Sequence, residues 1–464
     1  MNSRKEFFHL IWAAVKGKEQ DYTRLGLKES IVLLATPMIL EMLMESLFAV
    51  VDIFLVGRLG SYALATVGLT ESILMIVYSV GMGLSMAGTA MVARRFGEKK
   101  YQQAGTITYQ LLVTGGVLAL VTSVLTFLFA TDILRLMGAD AEVIAKGVGY
   151  ARIIFGSNLI IILLFLLNGA FRGAGLPHLP MRTLWLANGI NILLAPLLIF
   201  GLGPVPALGL EGAAWATTIS RGIGVIYQLY HLLNGKHLLM ITRENMALHY
   251  KVVQRILRVS LGGMGQFMID SASWIFLTRI VAEFGNNALA GYTIAFRVIT
   301  FTLLPAWGLS SAAATLVGQN LGAGKPGRAE ISVWLTARYN MFFLGLATAA
   351  FFFFGDHLAG LFTQEPAVIS IASSALKIIT LGYIFFGLGM VMVQAFNGAG
   401  DTKTPAFINI VVLCLLEIPL AYLLAIHLGY AQTGIFVTIA FCHSLHALIS
   451  WWLFRKGRWK TVKI

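Results

Sequence analysis

The sequence predicts an all-α integral membrane protein with twelve transmembrane helices in two six-helix lobes, related by a pseudo-twofold axis along the membrane normal. Three observations carry that prediction. Of the 464 residues, 58% are hydrophobic and only 12% charged, with a mean hydropathy of +0.80, whereas a soluble domain is about 25% charged. The apolar residues fall in continuous runs of membrane-spanning length rather than the alternating pattern of a β-barrel. The chain also repeats itself at a constant shift of 225 residues.

The twelve runs are 30–56, 62–92, 104–130, 147–169, 183–203, 209–233, 255–281, 288–317, 331–354, 369–397, 406–427 and 433–454. Ahead of them, residues 5–16 are amphipathic and are expected to form a helix lying on the membrane surface, with no cleavage site of a signal peptide behind it. The net charge of +13 does not indicate nucleic acid, because its basic residues cluster between alternate runs. These clusters are Arg4, Lys5, Lys16 and Lys18; Arg94, Arg95, Lys99 and Lys100; Lys236, Arg243, Lys251, Arg255 and Arg258; and Arg455, Lys456, Arg458, Lys460 and Lys463. The positive-inside rule places them, and both termini, in the cytoplasm. The basic gap divides the chain into an amino-terminal lobe (1–235), a linker (236–254) and a carboxyl-terminal lobe (255–464). Cys414 and Cys442 sit inside apolar runs without a CxxC spacing and are expected as buried thiols.

At the shift of 225, Gly60 falls on Gly285, Ala63-Leu64-Ala65 on Ala288-Leu289-Ala290, Gly97 on Gly322, and AFRGAG (170–175) on AFNGAG (395–400). Parallel repeats of this kind belong to transporters whose substrate site lies between the halves. Gly60 and Gly285 are expected to end helices as C-caps.

The first run carries Glu41, Glu45 and Asp52. At about 100° per residue, all three fall within roughly 40° of one helix face. Each ionised group at mid-bilayer costs at least about 2.5–3.5 kcal/mol, so the stripe must face protein or a wet cavity. Either it handles ions and cationic cargo, or Glu41 and Glu45 are structural hydrogen-bonding groups between helices. Across the repeat, Glu41 falls on Gln266, Glu45 on Asp270 and Asp52 on Leu277, so the acids are unequally shared. Three carboxylates on one face cannot all stay ionised in a low-dielectric site, which favours H⁺ over Na⁺ as the coupling ion. A bound Na⁺ would instead need several oxygen ligands.

Met42, Met44, Tyr78, Met82, Met264, Gln266, Phe267 and Trp274 lie on the helices expected to line a substrate cavity. Thioethers adapt to many shapes, and aromatic faces attract cations. Of three arginines at membrane depth, Arg297 is expected to pair with Asp270, Arg279 to snorkel, and Arg221 has no assigned partner. His443 and His446 share a helix face, but no acid stands near them in sequence, and no metal site is expected. GQNLGAGKP is not a P-loop, since residue 319 is Gln and Pro326 follows Lys325. No cofactor motif and no metal or nucleophile set of a membrane-embedded enzyme is present.

The stretch PMIL…VDIFLVGRLG…ALA (37–65), the loop GQNLGAGKPGRA (318–329), the segment QAFNGAGDTKTP (394–405) and the ending WLFRKGRWK (452–460) resemble the multidrug and toxic compound extrusion (MATE) transporters, between their NorM and DinF types. The resemblance implies export of organic cations and other toxic compounds in exchange for inward H⁺ or Na⁺, by a monomer in the bacterial plasma membrane. By that resemblance Asp52 stands at the first-helix aspartate tied to cation coupling. Asn191 keeps one polar position of the fifth helix while Ala195 replaces the other, and Thr217 matches a sixth-helix site residue. Asp52, Asn191 and Thr217 would then hold the ion, with Glu41 or Glu45 supplying the missing charge. Gln266 and Asp270 resemble the Q-x-x-x-E of NorM-type members, but Phe386 and Gly387 stand where those carry a tenth-helix aspartate. A lipid-linked oligosaccharide flippase or polysaccharide exporter of the same superfamily is the competing reading. It would need a cationic cavity, against which the acidic stripe argues.

Overall fold

The computed structural model describes residues 4–201 and 203–464; residues 1–3, at the start of the expected amino-terminal lobe, and 202 lie outside the described residues. The amino lobe comprises α1 (Arg4–Lys16), α2 (Leu27–Gly57), α3 (Ser61–Gly97), α4 (Tyr101–Leu128), α5 (Ala130–Leu136), α6 (Ala141–Gly156), α7 (Asn158–Gly173), α8 (His178–Phe200) and α9 (Leu210–Leu233). The carboxyl lobe comprises α10 (Tyr250–Ala282), α11 (Asn286–Gly322), α12 (Pro326–Gly360), α13 (Pro366–Thr380), α14 (Tyr383–Ala399), α15 (Lys403–His427) and α16 (Ala431–Arg455).

Eight spans are long and apolar enough to cross a bilayer, α6 and α7 counting as one, and α13 with α14 forms a ninth that is bent by 56°. The other three spans are α2, α9 and α10, of 31, 24 and 33 residues. They are long enough to span, and they hold the acidic stripe, Arg221 and Asp270 respectively. Twelve spans result.

The repeat holds helix by helix. α3, α4, α6, α7 and α8 start at residues 61, 101, 141, 158 and 178, and α11, α12, α13, α14 and α15 start 225 residues later at 286, 326, 366, 383 and 403. Gly60 and Gly285 differ from expectation. They are N-caps of α3 and α11, not C-caps, with φ of 107° and 91° and ψ near 180°. The preceding helices end at Gly57 and Ala282 with Arg58 and Glu283 as their C-caps, and the chain then turns into the next helix. That backbone conformation is open essentially only to glycine.

The linker is docked rather than loose. Leu239 and Ile241 are buried in the amino-lobe core, Asn245 Nδ2 donates to the Gln102 carbonyl at 2.9 Å, and Gln110 Nε2 donates to the Ala247 carbonyl at 2.7 Å.

The first helix of each lobe crosses to the other: α2 packs on α11 and α10 on α3. The crossing is reciprocal. Gly83 faces Met264 while Gly308 faces Ile39, and Gly97 faces the Gln319 carbonyl while Gly322 faces that of Arg94. Each pair maps onto the other at the shift of 225, so the pseudo-twofold axis runs through this seam. At its basic end, Thr315 Oγ1 donates to the Arg172 carbonyl at 2.9 Å and Gln319 Nε2 to that of Gly173 at 3.0 Å. There too, Lys325 Nζ donates to the Thr23 carbonyl at 2.9 Å and Arg94 Nη2 to that of Val462 at 2.8 Å. Among the described residues, the direct hydrogen bonds joining the lobes all lie at this end.

Candidate functional site

The acidic stripe of α2 does meet protein, but each glutamate has its own arginine. Glu41 is fully buried and bonded to Arg172 Nη2 from α7. Glu45 accepts from Arg221 Nη2 of α9 at 3.1 Å and from Asn188 Nδ2 of α8 at 3.3 Å, and the Arg221 guanidinium also stands over Phe48. Each glutamate is thus engaged by an arginine of the amino lobe. Asp52 is half-buried, and its Oδ1 is shielded from solvent with no hydrogen-bond partner. Its charged neighbours are Arg221 and Glu71. Asn191 Nδ2 donates to Thr217 Oγ1 at 3.2 Å, so those two residues do meet, together with Ser220. No hydrogen bond joins either to Asp52 among the described residues.

The carboxyl lobe holds a cavity of about 260 Å³ bounded by α10, α11, α14, α15 and α16, with Met86 of α3 closing it on the amino-lobe side. Gln266, Phe267, Asp270 and Trp274 all line it, because spacings of four and three keep them on one face of α10. Phe267 stacks on Trp307 with ring centroids 5.5 Å apart and planes 6° from parallel. Trp274 stacks on His443 at 6.1 Å and packs against Phe296 at 4.6 Å. Gln266 Nε2 is fixed by Asn397 Oδ1 at 3.1 Å and the Thr402 carbonyl at 2.9 Å. Asp270 makes no ion pair or hydrogen bond among the described residues and is the one carboxylate on the cavity wall. A smaller pocket continues inward past Met82 and Met86 to Arg172, sharing Phe267, Trp307 and Gln394 with the main cavity.

Several expectations need correction. Arg297 does not pair with Asp270. It lies in a separate groove with Asn286, Thr293 and Phe362, and its charged neighbour is Glu71. Tyr78 packs edge-on against Phe165 inside the amino lobe, and Met42 is half-buried outside the main cavity. Arg279 is exposed as expected, 3.8 Å from Glu283. His443 and His446 do have an acid beside them, since Glu417 Oε1 stands 3.7 Å from His443 Nε2. Glu417 was invisible as a site residue because it is a single acid in an apolar run with no periodic companion. The three groups form no metal-holding cluster among the described residues.

The family model MatE matches the chain twice, at residues 37–197 and 264–423, once in each lobe. A probable multidrug resistance protein, YoeA of Bacillus subtilis (strain 168), is 27% identical over 445 residues, covering 94% of this chain and 95% of the relative. The multidrug export protein MepA of Staphylococcus aureus (strain NCTC 8325 / PS 47) is 24% identical over 413 residues, covering 89% and 90%. A crystal structure of a MATE protein in complex with MaL6 superposes with a TM-score of 0.90 at 24% identity, over 96% of this chain and 100% of that one.

Proposed function

The chain belongs to the MatE family of transporters, and from that premise we propose that it is a secondary active exporter of lipophilic organic cations, driven by inward movement of H⁺. The observation that carries the cargo class is Asp270: a carboxylate without a partner among the described residues, on the wall of a cavity of about 260 Å³ that also presents Phe267, Trp274, Phe296, Trp307 and Phe386 with a set of neutral amides and hydroxyls. A cation desolvated in such a space gains from the single negative charge and from the faces of Phe267, Trp274 and Trp307. Met86 and Met390 supply adaptable surface for cargo of different shapes. The names of YoeA and MepA agree with several cargoes rather than one.

Alternating access follows from the two lobes. The seam is closed at the basic end, which the positive-inside rule assigns to the cytoplasm, so this conformation faces outward. Rocking the lobes about the seam would part Gly97 from Gln319 and Gly322 from Arg94, and would open the pocket beside Arg172 to the cytoplasm. In this reading Asp52 of α2, with the Asn191–Thr217 pair of α8 and α9, is the amino-lobe candidate for ion binding. Na⁺ is the alternative ion there.

The flippase reading is disfavoured by the same wall. A lipid pyrophosphate needs Lys or Arg, and the residues around the main cavity include neither. Efflux of ethidium from proteoliposomes under an imposed pH or Na⁺ gradient tests the proposal. Wild type should export against a pH gradient and Asp270→Asn should not; equal efflux by both would remove the cavity from the mechanism.

A further inference from the structure

We propose that the exchanged proton is held by Glu417, directly behind the wall of the carboxyl-lobe cavity, and that His443 is the group through which it reaches cavity water. This rests on the export reading above and adds to it a division of labour: Asp270 receives the cargo and Glu417 receives the proton.

Glu417 is only 1% exposed. Its Oε2 accepts from Ser273 Oγ of α10 at 2.8 Å, and its Oε1 is buried with no hydrogen-bond donor. No Lys or Arg pairs with it among the described residues. A carboxylate in that setting cannot persist as an anion without a large desolvation cost, so it holds a proton or a cation. Among the described residues its one hydrogen-bond partner is Ser273 Oγ, a setting that suits a proton on the carboxyl. The titratable groups facing it are Asp270 from α10, Tyr292 from α11, Cys442 and His443 from α16, and Cys414 from its own helix; His446 stands one turn beyond His443.

The path is defined by the same residues. His443 stands between Glu417 and the cavity, with one ring edge 3.7 Å from the carboxylate and its face on Trp274. Phe386 seals its other side at 4.8 Å. The coupling is electrostatic. Asp270 and Glu417 are near enough to act on each other. A cargo cation at Asp270 favours the anionic form of Glu417, whose proton then leaves through His443; when cargo leaves, Glu417 takes a proton up again. Reciprocity requires that the proton likewise weaken cargo binding.

The backbone is shaped for this position. Glu417 closes a stretch, Ile410–Glu417, in which α15 is widened to π pitch, followed by Pro419. Such widening occurs mostly at functional sites. At the shift of 225, Glu417 maps onto Ile192, beside Asn191, so the amino lobe has an amide at the level where the carboxyl lobe has its acid.

The test uses the full chain in detergent and two readouts. Infrared difference spectra across a pH step report the C=O stretch of a protonated carboxyl, and a pH dye in weak buffer reports protons released on adding tetraphenylphosphonium. Wild type should show both signals. Glu417→Gln should lose the carboxyl band and the proton release while still binding tetraphenylphosphonium. Asp270→Asn should lose the binding and keep the band. A Glu417→Gln protein with the wild-type band and release overturns the assignment. A wild type that binds no cation overturns the export reading, and the infrared band still decides Glu417 alone. If Glu417→Gln elutes as aggregate, Ser273→Ala takes its place. Removing the hydroxyl bonded to the carboxylate should displace the band's midpoint, and an unchanged midpoint counts against the proposal.

Discussion

Gly97 of α3 lies flat against the backbone carbonyl of Gln319 in α11, leaving no room for a methyl group, and the pseudo-twofold axis repeats the contact as Gly322 against Arg94. Both contacts are at the basic end of the seam. They exist only while the lobes are closed there, so their loss acts on one conformation of the cycle.

Substituting Gly97 or Gly322 by Val should destabilise the closed seam by about 1–3 kcal/mol, the usual penalty for overpacking. That shifts the conformational equilibrium roughly five- to 150-fold toward the opposite state. Thr315 is buried at the seam, and a Thr315→Cys reporter measures this with a membrane-impermeant maleimide. Labelling should rise sharply in the Gly97→Val background. Unchanged labelling would mean that the seam does not open where the glycines meet.

Breaking one half of the Glu41–Arg172 pair leaves an uncompensated charge in a site where Glu41 is 1% and Arg172 21% exposed. Glu41→Gln should therefore lower stability by about 3–5 kcal/mol. The double variant Glu41→Gln/Arg172→Gln should recover much of the loss, read as the unfolding midpoint in detergent. A purely coupling role for Glu41 predicts the reverse pattern, with stability intact and transport gone.

How much of this was legible beforehand depends on whether the information lay within one helix or between two. The twelve spans and the repeat were readable, because hydropathy and a constant shift are properties of the string, and helix starts such as 61 and 286 keep that shift. The cavity face of α10 was readable too, since Gln266, Phe267, Asp270 and Trp274 obey helical spacing. The partners were not. Glu41 finds Arg172 across 131 positions and Glu45 finds Arg221 across 176. Periodicity gives the direction of a side chain from its own helix but not what stands opposite. The stripe therefore looked like three competing acids when two were already neutralised. Arg297 failed for the same reason: Asp270 and Arg297 belong to neighbouring helices but open into different spaces.

The surface of the basic end has its own pH dependence. Burial works against ionisation of Asp21 and Glu98. Even so, the Thr23 bonds with the charges of Lys99 and Arg24, and the bonds and charges of Arg95 and Lys100, hold their carboxyls below the usual range. A lowered folded-state value contributes stability above the ordinary carboxylate pKa of about 4, lost as pH falls through the folded value. The seam should thus hold constant between about pH 5 and 8 and loosen only below about pH 4. Maleimide labelling of Thr315→Cys across that range checks it. Opening centred near neutrality would show that other groups control the seam.

Asp270→Asn keeps the shape of the cavity wall and removes its only carboxylate. Tetraphenylphosphonium binding should weaken at least about tenfold, the equivalent of about 1.4 kcal/mol. Trp307→Ala, which removes the ring stacked on Phe267, should weaken it by a smaller factor, near that of one cation–aromatic contact of about 0.5–2 kcal/mol. A neutral cargo of similar size separates the two effects. It should be indifferent to Asp270→Asn and sensitive to Trp307→Ala, and a neutral cargo lost equally in both variants would mean that Asp270 shapes the cavity and does not attract charge.

Pro419 lies two residues beyond Glu417, at the point where α15 returns from π to α pitch before widening again at Leu423–His427. Proline has no N–H to donate, and its ring crowds the carbonyl four residues back, so a tight α turn is disfavoured through residues 415–419. Pro419→Ala restores the donor and permits regular α pitch. Tightening the turn rotates Glu417 relative to Ser273 and His443, since a π turn carries an extra residue per turn. The expected result is a protein at least as stable as wild type in thermal unfolding, with slower ΔpH-driven ethidium efflux. Gains in stability with loss of turnover are the signature of relieving a strained functional segment. If the variant instead transports at the wild-type rate, the π widening is a packing consequence of Pro419 alone and Glu417 does not depend on it.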